Sequence, residues 1–118
     1  MITNDSLSNV FNALAHETRR EILDLTQQNP GITVGELAKN FDVSRIAVMN
    51  HLAVLTDVDL IISQKDGRSR RLYMNAMPIQ EIYERWTDTY SQQWLDRMSS
   101  IKLKAEAAAL KAKGDNNE

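Results

Sequence analysis

The sequence contains no cysteine and few residues that break regular structure, with two prolines and four glycines among 118 residues. The absence of cysteine excludes disulfide bonds, thiolate metal ligands and thiol redox switches. No window approaches the roughly 20 apolar residues of a membrane-spanning helix. The opening MITNDSLSN has no basic segment followed by an apolar run. We therefore expect no membrane span, no signal peptide and a cytoplasmic protein.

Charge is also nearly balanced, at a net −2, so the molecule as a whole is not a polycation. A nucleic-acid-binding surface would have to be a local patch. The hydrophobic content of 42% suits one globular domain with a modest core. No nucleophile–base pair, metal-ligand cluster or glycine-rich phosphate loop is evident. We therefore expect no enzyme, no cofactor and no metal site.

Apolar spacing predicts two helices before residue 31. The first is indicated by four apolar residues at i, i+3, i+4 and i+7. They are Leu7, Val10, Phe11 and Leu14. The second helix is predicted from Thr18 to Gln28, because Asn-Pro-Gly at 29–31 is a strong turn signal.

Two further helices are predicted around a tight turn. Thr33 and Glu36 have the spacing of a capping box, which opens the third helix. Ser44 is a good N-cap for the fourth helix, which we call the reading helix and expect to end near Thr56 or Asp59. Its inner face is predicted from three apolar residues at helical spacing. They are Val48, Leu52 and Leu55.

The pattern then changes to that of a β-hairpin. A β-branched run at 60–62 and a returning strand at 70–74 flank an Asp-Gly turn signal at 66–67. We call this hairpin, residues 62–74, the wing. Its tip is basic, with Lys65, Arg68, Arg70 and Arg71. The fold class predicted is mainly α with a small β-hairpin, a winged helix-turn-helix.

Residues on the outer side of the reading helix suit contact with DNA in the major groove. Arg45 can donate to guanine or to a phosphate, and Asn50 can pair with adenine. Ile46 and Met49 can touch thymine methyl groups, and the helix N-terminus at Ser44 offers N–H groups to a phosphate. Two of these residues also have an explanation without DNA. Ser44 caps the helix whatever the function, and an arginine such as Arg45 is most often simply solvated.

The last segment predicts one long helix from Pro78 to about Lys111, roughly 50 Å in length. Trp86, Tyr90 and Trp94 lie on one stripe of this helix. A short domain cannot cover such a helix, so the pattern favours a dimer seam. Two alternatives are packing of the stripe on the chain's own first helix, and an apolar pocket for an inducer at the seam.

These patterns divide the chain into three parts. Residues 1–76 are predicted to form the winged helix-turn-helix DNA-binding domain. Residues 77–113 form a long C-terminal dimerisation helix of the same domain, and residues 114–118 form a disordered tail.

Three ordered blocks of this sequence resemble the ArsR-type family of winged-helix regulators. FNALAHETRREILDL is similar to the family's opening, with Glu17 where proline is usual. ITVGELAKNFDVSRIAVMNHLAVL is similar to its helix-turn-helix, and IISQKDGRSRRLYMN to its wing.

The resemblance implies a homodimeric repressor that binds double-stranded DNA at an inverted repeat. The wing would lie on the flanking backbone or in the minor groove. The DNA-contact positions of the family fall here on Ser44, Arg45, Ile46, Met49, Asn50, His51, Lys65, Arg68 and Arg70. The dimer interface implied by the first and last helices includes Leu7, Val10, Phe11, Leu14, Ile82, Trp86, Tyr90 and Trp94.

The sequence departs from the metal-sensing members of that family. Thr33 and Gly35 stand where those members have two cysteines, and the last helix contains no histidine. A transition-metal site needs three or four nitrogen or sulfur ligands. We therefore expect no metal sensing. The aromatic last helix, ERWTDTYSQQWLDRM, resembles instead a cysteine-free subgroup, which implies regulation without a metal. The resemblance does not identify the signal: a small molecule, a partner protein and no inducer at all are each compatible with it.

A different class of function is also compatible with the sequence. The chain could be a winged-helix protein-interaction module that uses the Trp86–Trp94 stripe and does not bind DNA. That hypothesis predicts a heteromeric partner and no salt-sensitive binding to duplexes.

Overall fold

The computed structural model describes residues 2–87 and 89–115, with the side chains of 89–92 and 113–115 excepted. Residues 1–82 pack as one unit and residues 83–118 form a second. The elements follow in the order α1 (Asn4–Leu14), α2 (Glu17–Gln28), β1 (Ile32–Thr33), α3 (Val34–Ala38), α4 (Arg45–Asp57), β2 (Ile61–Asp66), β3 (Ser69–Met74), α5 (Met77–Trp86) and α6 (Thr89–Asp115). The structure is thus mainly helical with a small sheet, as the sequence predicts.

Both predicted N-caps of the helix-turn-helix are confirmed. The Thr33 hydroxyl accepts a hydrogen bond from the Glu36 N–H at 3.2 Å. The Ser44 hydroxyl accepts one from the Ala47 N–H at 3.1 Å. Each bond satisfies a backbone donor that the first turn of a helix leaves without a partner. The two caps therefore fix where α3 and α4 begin, and with them the tight turn between the helices.

The sheet is antiparallel and has the strand order β1-β3-β2. β2 and β3 form the predicted wing, and Gly67 in their two-residue turn has φ +62°, which glycine adopts without steric cost. β1 pairs Ile32 with Leu72 of the wing. The predicted hairpin is therefore present, and β1 is a third strand that the sequence pattern did not indicate. Two residues are too few to show the alternation that marks a strand.

The core lies where α1, α2, α3 and α4 meet the sheet. All three residues predicted for the inner face of α4 are buried: Val48, Leu52 and Leu55. They pack in one cluster with Ile22 of α2 and Leu72 of β3. The wing and the helix-turn-helix consequently share a single core, which fixes the wing beside α4.

The backbone just after α4 adopts a left-handed conformation. Asp59 has φ +61°, and the N–H of Leu60 donates to the Leu55 carbonyl at 3.0 Å. The Asp59 carbonyl accepts a further bond from the Asn75 side chain at 2.9 Å. This geometry closes the helix in the manner of a Schellman motif. Glycine is the residue that adopts such a φ without steric cost.

Replacing Asp59 with glycine is therefore expected to raise the free energy of unfolding by about 0.5–1 kcal/mol, since it removes left-handed strain and keeps every backbone hydrogen bond. Chemical denaturation measures this change. Asp59→Ala is the matched control and is expected to lower stability, because its Cβ keeps the strain and alanine adopts a left-handed conformation less readily than aspartate. A less stable glycine variant would contradict this account of the helix end.

The predicted single C-terminal helix is divided in the structure. α5 ends at Trp86, Thr87 is not helical, and α6 begins at Thr89. The Thr87 hydroxyl donates to the Tyr83 carbonyl at 2.6 Å, and such bonding by a β-branched residue disfavours a regular helix. α6 has 27 residues and continues to Asp115. The predicted disordered tail is therefore wrong at Gly114 and Asp115, and its residues 116–118 lie outside the described chain.

Candidate nucleic-acid interface

The outer face of α4 is open to solvent. Ile46 is 72% exposed and Met49 51% exposed, and Arg45 and Asn50 are also exposed. The opposite face is buried in the core, so the two-faced character predicted for this helix is confirmed. Large apolar side chains of a solvated helix usually turn inward. Their exposure beside an arginine and an asparagine gives this face the chemistry of base-edge contact.

The N-terminus of α4 adds backbone donors to that face. The Ser44 side chain occupies the Ala47 N–H, and the Ser44 carbonyl accepts from the Val48 N–H at 3.1 Å. The N–H groups of Arg45 and Ile46 precede the first intrahelical bond and have no helical partner. The first turn of α4 also carries no acidic residue. A phosphate oxygen would meet both these donors and the positive end of the helix dipole.

The arginines of the wing differ in their hydrogen-bond partners. Arg71 donates to the Asp66 carboxylate at 2.6 Å and to the Gly31 carbonyl at 3.0 Å, and the Asp66 bond raises its pKa. Arg71 thus joins the wing to the segment before β1. Arg70 donates to the Ser63 hydroxyl at 3.4 Å, and Arg68 lies exposed in the turn. Arg68 and Arg70 are therefore available to a phosphate, as is exposed Lys65.

The reading helix and the wing line a common groove of about 480 Å³. Met49 and Leu52 contribute from α4, Ile62 from β2 and Arg70 from β3. Because Arg70 and Leu72 are two residues apart on β3, both side chains lie on the same face of the sheet, the face that packs against α4. The fold therefore brings together Met49 and Arg70, two of the predicted contact residues.

His51 of α4 lies apart from these residues and is half-buried against α2. Its Nδ1 accepts a hydrogen bond from Arg19 Nε at 3.2 Å, and its ring centroid is 4.5 Å from that of His16. Burial, with smaller contributions from His16 and Arg19, lowers the pKa of His51 below its ordinary value of 6.5. Its predicted contact with DNA stays a prediction, and Nε2 is the ring nitrogen left for it.

Sequence reasoning missed Arg19 and His16. Arg19 is 32 residues from His51 along the chain, so no periodic pattern connects them. The one available signal was the end of the apolar pattern at His16, where a cap is needed. The His16 Nδ1 is that cap and accepts from the Thr18 N–H at 3.2 Å.

The residues predicted for a dimer interface fall into two groups. Leu7 and Val10 are buried within their own unit, and Leu14 and Ile82 are half-buried. Phe11, Trp86 and Trp94 are 45%, 58% and 49% exposed. The side chain of Tyr90 lies outside the described residues. Of the predicted interface residues whose side chains are described, Phe11 and the two tryptophans are thus the most exposed.

In the described parts of the chain, no three histidine or acidic side chains converge as metal ligands would. Among the helices that the structure describes, none is both long and apolar enough to cross a membrane.

Fold and surface together define a winged helix-turn-helix protein of the DNA-binding class. A family model described as a helix-turn-helix domain matches residues 14–64. The chain is 31% identical to the uncharacterized HTH-type transcriptional regulator YuzN of Bacillus subtilis, over 72% of this chain and 99% of that one. It is also 31% identical to the transcriptional repressor SdpR of Bacillus subtilis, over 64% of this chain and 82% of that one.

A solved structure is similar over nearly the whole chain. An ArsR-like transcriptional regulator from Rhodococcus sp. RHA1 is 31% identical, with a TM-score of 0.66 over 87% of this chain and 93% of that one. The chain belongs to the ArsR family of winged helix-turn-helix regulators, as the resemblance predicts. It is a DNA-binding transcriptional regulator and not an enzyme.

Proposed function

We propose that this protein is a homodimeric repressor that acts in the cytoplasm and binds an inverted repeat in promoter DNA. The N-terminal half of α4 enters the major groove, and the wing contacts the flanking backbone or minor groove. The observation that carries the proposal is the exposed face of α4, where Ile46 and Met49 lie open beside Arg45 and Asn50. The name of SdpR, a transcriptional repressor, supports repression as the outcome of binding.

Within this proposal each exposed side chain has a chemical role. Arg45 donates to guanine or a phosphate, and Asn50 makes two hydrogen bonds to adenine. Ile46 and Met49 exclude water from thymine methyl groups. Ser44 fixes the helix end whose free N–H groups meet a phosphate.

The proposed dimer follows from the apolar surface of the C-terminal helix. α6 exposes six large apolar side chains along the part of the helix whose side chains are described: Trp94, Leu95, Met98, Ile101, Leu103 and Leu110. A helix that exposes this much apolar surface needs a partner. A second copy of the chain would provide one and would also set two reading helices one DNA turn apart.

Selection of bound sequences from a random duplex pool tests the proposal. The expected result is an inverted repeat whose half-site centres lie about 10 base pairs apart. Sedimentation equilibrium of the same protein should give twice the chain mass. An unselected pool would overturn the proposal and favour the protein-interaction module, for which the apolar residues of α6 would be the docking surface.

Replacing Arg68 with alanine is expected to weaken binding to every duplex and to lower the slope of log K against log[salt] by about 1, because one phosphate contact is lost. Titrations at several salt concentrations measure this slope. Arg71→Ala is the matched control: it makes the same change in charge, but Arg71 already pairs with Asp66. Equal slopes for the wild type and Arg68→Ala would remove Arg68 from the interface.

A further inference from the structure

One guanidinium group links three helices of the first unit. Arg19 lies in the first turn of α2. Its Nη1 donates to the Asn12 carbonyl of α1 at 3.1 Å, and its Nε donates to His51 Nδ1 of α4 at 3.2 Å. Arginine suits this position because its donors have a fixed planar arrangement. The reading helix is thereby joined to α1 through a single side chain.

The bond to His51 fixes the protonation state of that ring. An imidazole nitrogen accepts a hydrogen bond only when it carries no proton, so His51 is neutral and has its hydrogen on Nε2. The His16 ring lies 4.5 Å away, and its Nδ1 is occupied as the N-cap of α2. The His51 ring is therefore in contact with the Arg19 guanidinium on one side and with the His16 ring on another.

We propose that Arg19 is a positioning residue, which holds α4 at its angle to α1 through neutral His51, and that protonation of His51 releases this hold. The proposal rests on the proposed function, because the angle of α4 matters for function only if α4 reads DNA. In the proposed dimer α1 belongs to the interface. The Arg19 link would then fix each reading helix relative to the two-fold axis.

The surroundings of His51 give the direction of the pH effect. The titratable and charged groups that face it are Arg19 of α2 and His16 at the α2 N-cap, whereas Arg45 and Asp57 lie near opposite ends of its own helix. Protonation would remove the acceptor of Arg19 and place a second cation beside it. Because the pKa of folded His51 lies below 6.5, the neutral ring stabilises the fold above that pH. This stabilisation declines as the pH falls through 6.5 towards the lowered pKa.

An NMR titration of the DNA-free protein tests the link itself. In the wild type, ring nitrogen shifts should show His51 with its proton on Nε2 and a pKa below the ordinary value. In Arg19→Gln the pKa should rise towards 6.5, because a charged neighbour is lost. A His51 that titrates identically in both proteins would overturn the proposal. Circular dichroism of both proteins checks that the variant is folded.

DNA binding gives a second, independent readout. Arg19→Lys keeps the charge but cannot bridge both acceptors with one ammonium group, so we expect affinity for the selected duplex to fall about threefold to tenfold with an unchanged salt slope. A residue that simply contacts phosphate would tolerate lysine. Wild-type affinity should decline between pH 7.5 and pH 5.5. Full affinity of Arg19→Lys at every pH would contradict the positioning role.

His51→Asn is the matched variant for the pH effect. Its side-chain oxygen can accept from Arg19 near the position of Nδ1 and does not titrate in this range. Each protein is compared with itself at the two pH values, and we expect the affinity of His51→Asn to fall by a smaller factor between pH 7.5 and pH 5.5 than that of the wild type. An unchanged loss would show that another group carries the pH dependence and would overturn the release step. If the wild type binds no duplex but the NMR coupling is present, the link stands and the proposed function falls.

Discussion

Replacing Asn50 with alanine is expected to abolish the preference for adenine at one position of each half-site, at a cost of about 1–3 kcal/mol for the preferred duplex. Asn50 is exposed on the outer face of α4, where its amide can both donate to and accept from an adenine edge. Alanine is a good helix former and leaves the core side of α4 unchanged. The variant should therefore fold normally and lose discrimination instead of losing all affinity.

Arg45→Ala should show a comparable cost, with lost preference at a different base pair if the guanidinium meets guanine. If it meets a phosphate, affinity falls evenly for all sequences and the salt slope decreases by about 1. Competition binding with duplexes that vary one base pair at a time separates these two outcomes.

The control for both variants is Asp57→Ala. Asp57 is also exposed on α4, but it lies at the far end of the helix and lines a different cavity with Ile2 and Val10. Its removal should leave base preference unchanged. If Arg45→Ala and Asn50→Ala keep the wild-type preference at every base pair, the outer face of α4 is not the reading surface.

The second large effect is expected in stability. The side chain of Leu55, on the inner face of α4, is completely buried in the cluster that includes Leu37 and Leu60. Leu55→Ala removes buried apolar volume and leaves a cavity, which typically costs about 2–5 kcal/mol. Since small domains have only about 5–15 kcal/mol of net stability, this single change should bring the protein close to unfolding at moderate temperature. Denaturant titration followed by circular dichroism measures the loss.

Met49→Ala is the matched control on the same helix. Met49 is half exposed, so its truncation should change the free energy of unfolding by less than about 0.5 kcal/mol. Met49→Ala should instead weaken DNA binding. Equal destabilisation by the two variants would mean that α4 does not have one buried face and one exposed face that reads DNA.

Much of this fold could be predicted because helical periodicity and caps are local signals. Val48, Leu52 and Leu55 identify the inner face of α4 by spacing alone, and Ser44 identifies its start. The outer residues follow by exclusion from that face. This is why Arg45 and Met49 are placed on the open surface by both the sequence and the structure.

Other features depend on contacts between distant residues and have no local signal. β1 is two residues long and exists only because Ile32 pairs with Leu72. The apolar stripe of the sequence continues through the break after Trp86, and the hydrogen bond from the Thr87 hydroxyl to the Tyr83 carbonyl leaves no pattern in the sequence. The Arg19–His51 bond connects α2 to α4 across the fold, and a hydrogen bond of this kind leaves no periodic pattern in the sequence.

Amide hydrogen exchange of the protein, with and without the duplex obtained by selection, tests the central proposal most directly. Binding through the reading face predicts slower exchange in two segments, the N-terminal half of α4 from Arg45 onwards and the wing turn around Arg68. Exchange in the C-terminal part of α6 should be the same in both states. Protection confined to α6, with α4 and the wing unchanged, would contradict the proposal that α4 reads DNA.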